Sequence, residues 1–528
     1  MFDYTDNRTP SHADPVWDHG PLSALGPAHL STFSYSILAE ILRRGWFDYY
    51  MQLGFEPQPA ARLVRQHQGK AYLNLTLSAQ LEAVQGIAPL TLRINGQPYP
   101  LAATKSGLFS GLLGNRKAKK VWSTVDELVN EAPLIRQKAR TWFETVMGLK
   151  WSQAEILQVM EQIERVGADS MRLYFAARHN LELGFNEILW ALEPASPFPQ
   201  SLGYASALYQ GLGNTQLSNL IESDISSAVL DLAQLARNEG ISMPDGKGTA
   251  EWSSWLEHGK FKAALTDFTK DHGHRCAGES ELKNPRWEED PNLLLGCVLA
   301  LANRESTSAV GGVNQTSIQE MMQIVDAKER KNIQVWLDRL PKLFRLQSQA
   351  LDAFAYILAG SRRWIQAAAQ EAMSDGRLQS RDEAFYFQLE ELKEMMTGEW
   401  NVSNTDEIRA RLAERQAEFA QSETNNREQS ISSLLIGDQE VHPTRSGLPT
   451  SADLGIEVST PTDLTAIEPT ALIAQLLVAG PALKVASVDG GTGTLLPLAG
   501  TLVTEGGHLL DPVVAAAYSR GKSVIAEA

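Results

Sequence analysis

The stretch GHRCAGESELKNPRWEEDP, from Gly273 to Pro291, decides how the middle of this chain is interpreted. A core helix repeats apolar residues every three to four positions, and a half-buried strand alternates them. The charged residues of this stretch follow neither period, and Pro285 fixes the backbone before Arg286 and Trp287. The pattern therefore predicts a shaped polar loop between other elements.

Helical patterns dominate on both sides of this loop. Ser152 with Glu155 forms a capping-box pattern before ILQVMEQIERV, and Thr316 with Gln319 forms another before EMMQIVDAKER. Pro341 is expected to separate two later amphipathic runs. These patterns predict a mostly α-helical middle.

Strand patterns are fewer. They include GKAYLNL and the pair LTLRI and QPYPL, joined at Asn95-Gly96, a dipeptide that favours a hairpin turn. Near the C-terminus KVASV, GTLVTE, a helix from Asp511 and KSVIA alternate as in a compact α/β module. The predicted fold class is α+β, with a large, mostly α-helical domain followed by a small α/β domain.

A change in composition suggests where these domains meet. Residues 421–469 are rich in Ser, Thr, Pro and Asn and poor in aromatics, which predicts a linker. The expected organisation is a domain over 1–420, a linker over 421–469 and a module over 470–528.

Overall composition excludes several classes of protein. The 528 residues carry a net charge of −16, which disfavours nonspecific binding to nucleic acids or anionic membranes. The apolar run LLLGCVLALA from Leu293 is shorter than a membrane span and predicts a buried helix. Cys276 and Cys297 form neither a metal-ligand pattern nor a disulfide framework. With no secretory signal pattern at the N-terminus, the expected location is the cytoplasm.

The loop also carries a resemblance. Gly273, His274, Arg275, Gly278, Glu279, Pro285, Arg286 and Trp287 resemble the GHR-x-x-GE-x-x-L-x-x-PRW signature of phosphoenolpyruvate-synthase-like enzymes, particularly the rifampicin phosphotransferases. The blocks TFSYSILAEILRRGWFDYYMQLG, GLGNTQLSNLIESDISSAVLDLAQLAR and DGRLQSRDEAFYFQLEELKEMM resemble further blocks of that family's substrate-binding domain, in the same order.

The resemblance implies a division of labour. In that family an ATP-grasp domain makes the phosphoryl donor, a swivelling domain carries it on a histidine, and the middle domain holds the acceptor. This chain resembles the last two parts only. We therefore expect no cofactor bound by this chain alone, with ATP and Mg²⁺ supplied through a separate ATP-grasp partner, and a small-molecule acceptor.

The C-terminal segment resembles the swivelling domain in a degenerate, truncated form. Asp511 and Pro512 stand where the family has its serine and histidine, and proline cannot carry a phosphoryl group. Both residues suit the start of a helix. His508, just before that helix, is a candidate replacement nucleophile, and its other interpretation is a surface loop histidine.

The resemblance also suggests roles within the loop. His274, Arg275 and Arg286 are expected to bind substrate or phosphate, because guanidinium groups bind phosphate oxygens in a bidentate manner. Glu279 or Glu281 is expected to act as general base, with His508 as the third candidate catalytic residue. The alternative is that these charges pair only to shape the loop. His272 and His274 lack a third ligand, so no metal site is predicted.

Two function classes follow, with a third open. The first is a component of a phosphoenolpyruvate-synthase-like system acting on a small molecule, by phosphoryl transfer or phosphate-activated condensation in specialised metabolism or resistance. The second is a noncatalytic homologue that binds a ligand or a partner. The third is an ATP-independent lyase or condensing enzyme on the same scaffold.

Overall fold

The fold was analysed in a computed structural model of the chain. It describes residues 14–25, 29–58, 61–84, 91–94, 97–102, 110–196, 201, 204, 217, 219–241, 259–304, 322–428, 434–441, 448, 450–454, 457–464, 476, 480–485, 488–504 and 506–526. The capping box predicted at Thr316 and Gln319 lies outside these residues.

Helices make up most of the described chain. They are α1 (Thr32–Gln52), α2 (Leu75–Val84), α3 (Ser110–Met147), α4 (Gln153–Leu192), α5 (Ile221–Asn238), α6 (Gly259–His272), α7 (Asn292–Asn303), α8 (Arg330–Ser374), α9 (Leu389–Thr397), α10 (Thr405–Glu428), α11 (Ser451–Leu454) and α12 (Pro512–Ser519). The run predicted as a buried helix is α7, whose residues from Leu294 to Ala302 are all buried. The described part of the chain contains no helix with both the length and the apolar character needed to cross a bilayer.

Two sequence predictions about helix boundaries had different outcomes. The capping box before α4 is confirmed, since the Ser152 amide donates to Glu155 Oε2 at 2.7 Å and the Glu155 amide to Ser152 Oγ at 3.4 Å. The predicted break at Pro341 is wrong, because that proline lies inside α8. An interior proline costs about 3 kcal/mol. Burial of neighbours such as Leu340 and Phe344 offsets that cost.

The N-terminal part carries a five-stranded sheet. Its strands are β1 (Val16–Asp18), β2 (Val64–His67), β3 (Lys70–Asn74), β6 (Leu434–Ile436) and β7 (Gln439–Val441), in the order β2-β3-β1-β6-β7. The predicted strand at Tyr72 is β3. The predicted hairpin is confirmed as antiparallel β4 (Thr91–Ile94) and β5 (Gln97–Pro100).

The stretch predicted as a linker contributes to this sheet. Strand β6 pairs antiparallel with β1, with Trp17 opposite Leu435. Leu434 and Leu435 are buried, so an apolar pair within a polar stretch returns the chain to the N-terminal sheet. The division into 1–420, 421–469 and 470–528 otherwise stays a prediction.

The C-terminal module has a four-stranded parallel sheet. Its order is β11-β10-β9-β8, with β8 (Thr462–Asp463), β9 (Ala482–Val485), β10 (Thr501–Thr504) and β11 (Ser523–Ala526). Helix α12 connects β10 to β11, as parallel pairing requires a crossover. The predicted α+β class, dominated by helices and followed by a small α/β module, is confirmed.

Two large apolar clusters hold these parts together. The first joins α1, α3, α4 and α8. The second contains residues of α5 and α7, such as Ile225 and Val298, together with residues of the C-terminal module, such as Leu502 and Val514. The module therefore shares a core with the helices.

Candidate functional site

The stretch from Gly273 to Pro291 forms the predicted loop, between α6 and α7. Two backbone bonds close it, from the Trp287 amide to the Arg275 carbonyl at 2.9 Å and from the Glu288 amide to the Gly273 carbonyl at 3.0 Å. Gly278 has φ +67°, a left-handed conformation that other residues rarely adopt. These constraints fix the loop in one shape.

The charged side chains of the loop lie inside the protein. Arg275 is 0% exposed, Arg286 1% and Glu279 5%. Burying a charged group is costly unless the group is paired, so each of these three side chains requires partners inside the protein.

Arg275 is the centre of the cluster. Its Nη1 donates to Asp352 Oδ1 at 2.7 Å, and its Nε donates to Glu279. Burial would lower the pKa of Arg275, but Glu279, Asp352 and Glu222 raise it further above its ordinary value. Its buried Nη2 has no hydrogen-bond partner among the described residues.

Asp352, on α8, binds three cationic or ionisable side chains. Besides Arg275, it accepts from Arg136 Nε at 2.6 Å and lies 3.2 Å from His274 Nε2. Burial alone would raise its pKa, yet His274 and the two arginines hold the pKa well below its usual range. Asp352 is therefore ionised and orients Arg275 and His274.

His274 is held against an aromatic ring. It stacks on Tyr356, with 3.5 Å between ring centroids and 10° between planes. Burial, opposed by Asp352, lowers the pKa of His274 to about 4. At neutral pH its ring carries no charge.

Glu279 is the carboxyl group whose proton affinity suits acid–base chemistry. Burial raises its pKa to about 7, with Arg275 lowering the pKa and Asp489 raising it. A general base works best with a pKa near the working pH. Glu279 has this property through its environment.

Glu281, the other predicted base, has different partners. Its Oε2 accepts from the Ser31 amide at 2.6 Å, and its Oε1 accepts from the hydroxyls of Ser31 and Ser34 at 2.9 Å each. These bonds cap the start of α1. Glu279 is consequently the better candidate for a base.

Arg286 is also engaged within the loop. Its Nη2 donates to the Glu279 carbonyl at 2.9 Å, and its Nη1 to Cys276 Sγ. Its Nε has no partner among the described residues. In this conformation Arg286 supports the backbone that carries Glu279.

His508 lies in a second cluster, around the start of α12. Its Nδ1 accepts from the Leu510 amide at 3.1 Å, and its own amide donates to Asp511 Oδ2 at 2.8 Å. Desolvation and the charge of Arg178 hold the pKa of His508 well below its ordinary value. The ring is thus neutral and one ring nitrogen is occupied.

Asp511 is the N-cap residue of α12, as predicted, with Pro512 in the first turn. Its side chain bonds away from the helix, to Arg178 Nη1 at 3.0 Å and Ser23 Oγ at 2.8 Å. Burial raises the pKa of Asp511 to about 6, against the opposing effect of Arg178. These contacts fix α12 to α4.

Sequence reasoning missed Asp352, Glu222 and Asp489. Asp352 stands alone in the apolar run ALDAFAYILAG of α8, and a lone acid in such a run signals a buried partner. Asp489 precedes two glycines, a pattern that is typical of a turn. Neither signal identifies the partner, because the contacts are distant in sequence.

Residues 176–368 match the family model described as the rifampicin phosphotransferase fourth domain. Over this segment the chain is similar to rifampicin phosphotransferase. The resemblance inferred from the sequence is confirmed there. The matched residues contain the loop, Glu222 and Asp352, and therefore most of the buried charge cluster. Two members of the cluster, Arg136 and Asp489, lie outside the matched segment.

The described residues offer no cluster of three or more His, Cys, Asp or Glu side chains suited to a metal ion. Burial lowers the pKa of His272, like that of His274, to about 4. The cluster is organised around an arginine and its carboxylates.

Proposed function

We propose that this chain is the acceptor-binding component of a phosphoenolpyruvate-synthase-like system, with ATP chemistry and the phosphoryl carrier supplied by a separate protein. The observation that supports it best is the Arg275–Glu279 pair, since a carboxyl group of pKa about 7 beside a buried guanidinium suits proton abstraction near an anion. The similarity of residues 176–368 to rifampicin phosphotransferase supports the same class of chemistry.

In this proposal Glu279 accepts the proton of an acceptor hydroxyl as that oxygen attacks a phosphoryl group. The O–H bond breaks, a new O–P bond forms and the bond from phosphorus to the carrier breaks. Arg275 stabilises the charge on the phosphoryl oxygens, as a guanidinium does in such transfers. Asp352 keeps Arg275 in place through the 2.7 Å contact.

The start of α12 supports a carrier on another protein. Pro512 offers no nucleophile, and Asp511 is bound to Arg178, Ser23 and the His508 amide. The neighbouring His508 has its Nδ1 occupied by a backbone amide. In this proposal the carrier histidine therefore belongs to another protein.

The second candidate function is a noncatalytic homologue that binds a ligand or a partner. It is favoured by the bonds that Glu281 and Arg286 make within the fold, since these explain their burial without any substrate. Loss of the family histidine agrees with it.

The first experiment is affinity purification from the native host, with mass spectrometry to find a protein that carries an ATP-grasp domain. The partner and this chain are then combined with [γ-³²P]ATP, Mg²⁺ and either rifampicin or a small-molecule extract of the host. The proposal predicts a labelled product that requires both proteins. Glu279→Gln should lower its formation by about a hundredfold or more, the usual contribution of a general base.

Asp290→Asn is the matched control, since Asp290 lies in the same loop and accepts from the Asn292 amide, which asparagine can also do. It should leave labelling unchanged. Labelling that survives Glu279→Gln would remove Glu279 from the mechanism. A partner that binds without any transfer would favour the noncatalytic function.

A further inference from the structure

A turn of the C-terminal module lies against the loop that carries Arg275 and Glu279. Residues Gly490–Thr494 form a short 3₁₀ turn with Asp489 as its N-cap. Asp489 Oδ1 lies 3.3 Å from the Thr492 amide, whereas its Oδ2 accepts from the Gly278 amide at 2.7 Å. One oxygen thus closes the turn and the other holds the loop at its left-handed glycine.

Two glycines make this contact possible. A Cβ atom at Gly490 would lie 1.3 Å from Arg275 Nη2, and one at Gly491 would lie 2.1 Å from the Cys276 carbonyl oxygen. At Gly493 the nearest atom would be the Glu222 carbonyl oxygen, at an ordinary 3.4 Å. The first two positions therefore bring backbone against the loop, and the third has room for a side chain.

Further contacts fix the turn in this position. Val488 and Leu496 belong to the same apolar cluster as Ile225 of α5. Arg304, just after α7, donates to the Leu498 carbonyl at 2.7 Å. The residues on either side of the turn are thus held against α5 and the end of α7.

We propose that Asp489 is a positioning residue for Glu279, so that the C-terminal module forms a fixed wall of the site. The inference rests on the proposed function only in taking Glu279 as the acid–base group. Asp489 acts by holding the Gly278 amide, one residue before Glu279, and by placing a carboxylate near it. Gly490 lets Nη2 of Arg275 approach the backbone of the turn.

The charges around Glu279 agree with this role. Arg275 and Arg286 face it from its own loop and lower its pKa, and Asp489 faces it from the module and raises the pKa. Asp352 and Glu222 act on Arg275 from α8 and α5. Cys276 is neutral, because burial raises the pKa of its thiol to about 11.

The test is the pKa of Glu279, measured by ¹³C NMR titration of protein labelled at glutamate carboxyl carbons, with Glu279→Gln assigning the signal. Asp489→Asn keeps an oxygen for the Gly278 amide but removes the charge, so the pKa of Glu279 should fall by about one unit. Gly490→Ala displaces Arg275, so the pKa should rise instead. Gly493→Ala is the matched control and should leave the pKa unchanged.

These opposite shifts separate positioning from general loss of structure, which would move the pKa of Glu279 toward its ordinary value in every variant. An unchanged pKa in Asp489→Asn would overturn the inference. If Gly490→Ala does not fold, a wild-type melting midpoint for Asp489→Asn is needed as well, because loss of structure would lower the pKa of Glu279 in the same direction. The titration needs neither acceptor nor partner. Failure of the labelling experiment with these shifts intact would therefore reject the proposed function and leave the positioning role standing.

Discussion

Single carboxylates determine the properties of the Arg275 cluster. Asp352 is 0% exposed and holds two arginines and His274, all from elements distant in sequence. Breaking such a set by removing one partner leaves buried charge uncompensated, which costs more than the pair itself contributes. The stability of the helical part should depend strongly on this residue.

Asp352→Ala should lower the free energy of unfolding by about 3–5 kcal/mol, because Arg275 loses the carboxylate that balances its charge. Urea denaturation followed by circular dichroism measures the change. Asp126→Ala is the control, since Asp126 is exposed and 3.6 Å from the exposed Lys342, a geometry worth about 0–1 kcal/mol. Equal effects of the two changes would contradict the central role of Asp352.

Glu279 gives the stability a definite pH dependence. The folded pKa, about 7, lies above the ordinary 4.5, so the folded state binds the extra proton. The contribution of this bound proton to the free energy of unfolding is complete below pH 4.5 and is lost as the pH rises through 7. Relative to wild type, Glu279→Gln should therefore gain stability between pH 5 and 8, by up to about 3 kcal/mol.

Denaturation curves at several pH values test this expectation. A difference between wild type and Glu279→Gln that stays constant from pH 5 to 8 would show that Glu279 is ionised throughout.

At the scale of elements, close helix packing positions α4 and hence Arg178. Gly45 of α1 faces α4, where an added Cβ would lie 2.5 Å from Met171 Cβ and 2.9 Å from the Arg172 amide nitrogen. Gly167 of α4 meets Ile41 in the same way, at 2.7 Å. Where the two helices cross, each contributes a glycine that allows close contact with the other.

Gly45→Ala should destabilise the protein by about 1–3 kcal/mol, since the atoms it meets are backbone and Cβ atoms that cannot rotate away. Gly259→Ala is the control, because no atom of the described residues lies within 4 Å of a Cβ at that position. Thermal unfolding should show a lower midpoint for the first and an equal or higher midpoint for the second. A tolerated Gly45→Ala would mean that α1 and α4 are farther apart.

At the scale of the whole molecule, the C-terminal module and the helices share an apolar core. The second apolar cluster draws residues from both, and the buried pair Arg178–Asp511 links α4 to α12 at 3.0 Å. A hinged module would keep its own core and a polar interface. This arrangement instead predicts cooperative unfolding.

Asp511→Ala should speed amide exchange in α12, α4 and α5 together, by about a hundredfold, because it leaves Arg178 without one of its two carboxylates. Hydrogen exchange followed by mass spectrometry measures this. Ser519→Ala, which removes only a 2.7 Å bond to the Ala516 carbonyl and a 3.4 Å contact with Ser223, should have little effect. Faster exchange confined to α12 would indicate an independent module.

Local patterns in the sequence determined much of the fold. The capping box at Ser152, the pairing of β4 with β5 and the buried helix α7 depend on neighbours within a few residues, and all three were predictable. Pro341 was misinterpreted because its local preference is overridden by packing on both sides of α8. The strands at Leu434 and Gln439 were missed because the first pairs with β1 from the other end of the chain and the second pairs only with the first.

The sequence by itself determined the helical class, the family resemblance and the loop from Gly273 to Pro291, since these follow from residue order and spacing. The partners of that loop were decided by tertiary structure. Asp352 and Asp489 reach Arg275 and Gly278 across 77 and 211 residues, and Glu281 caps a helix 250 residues away. Burial then gives Glu279 a pKa of about 7, because desolvation depends on what surrounds a side chain rather than on its neighbours in sequence.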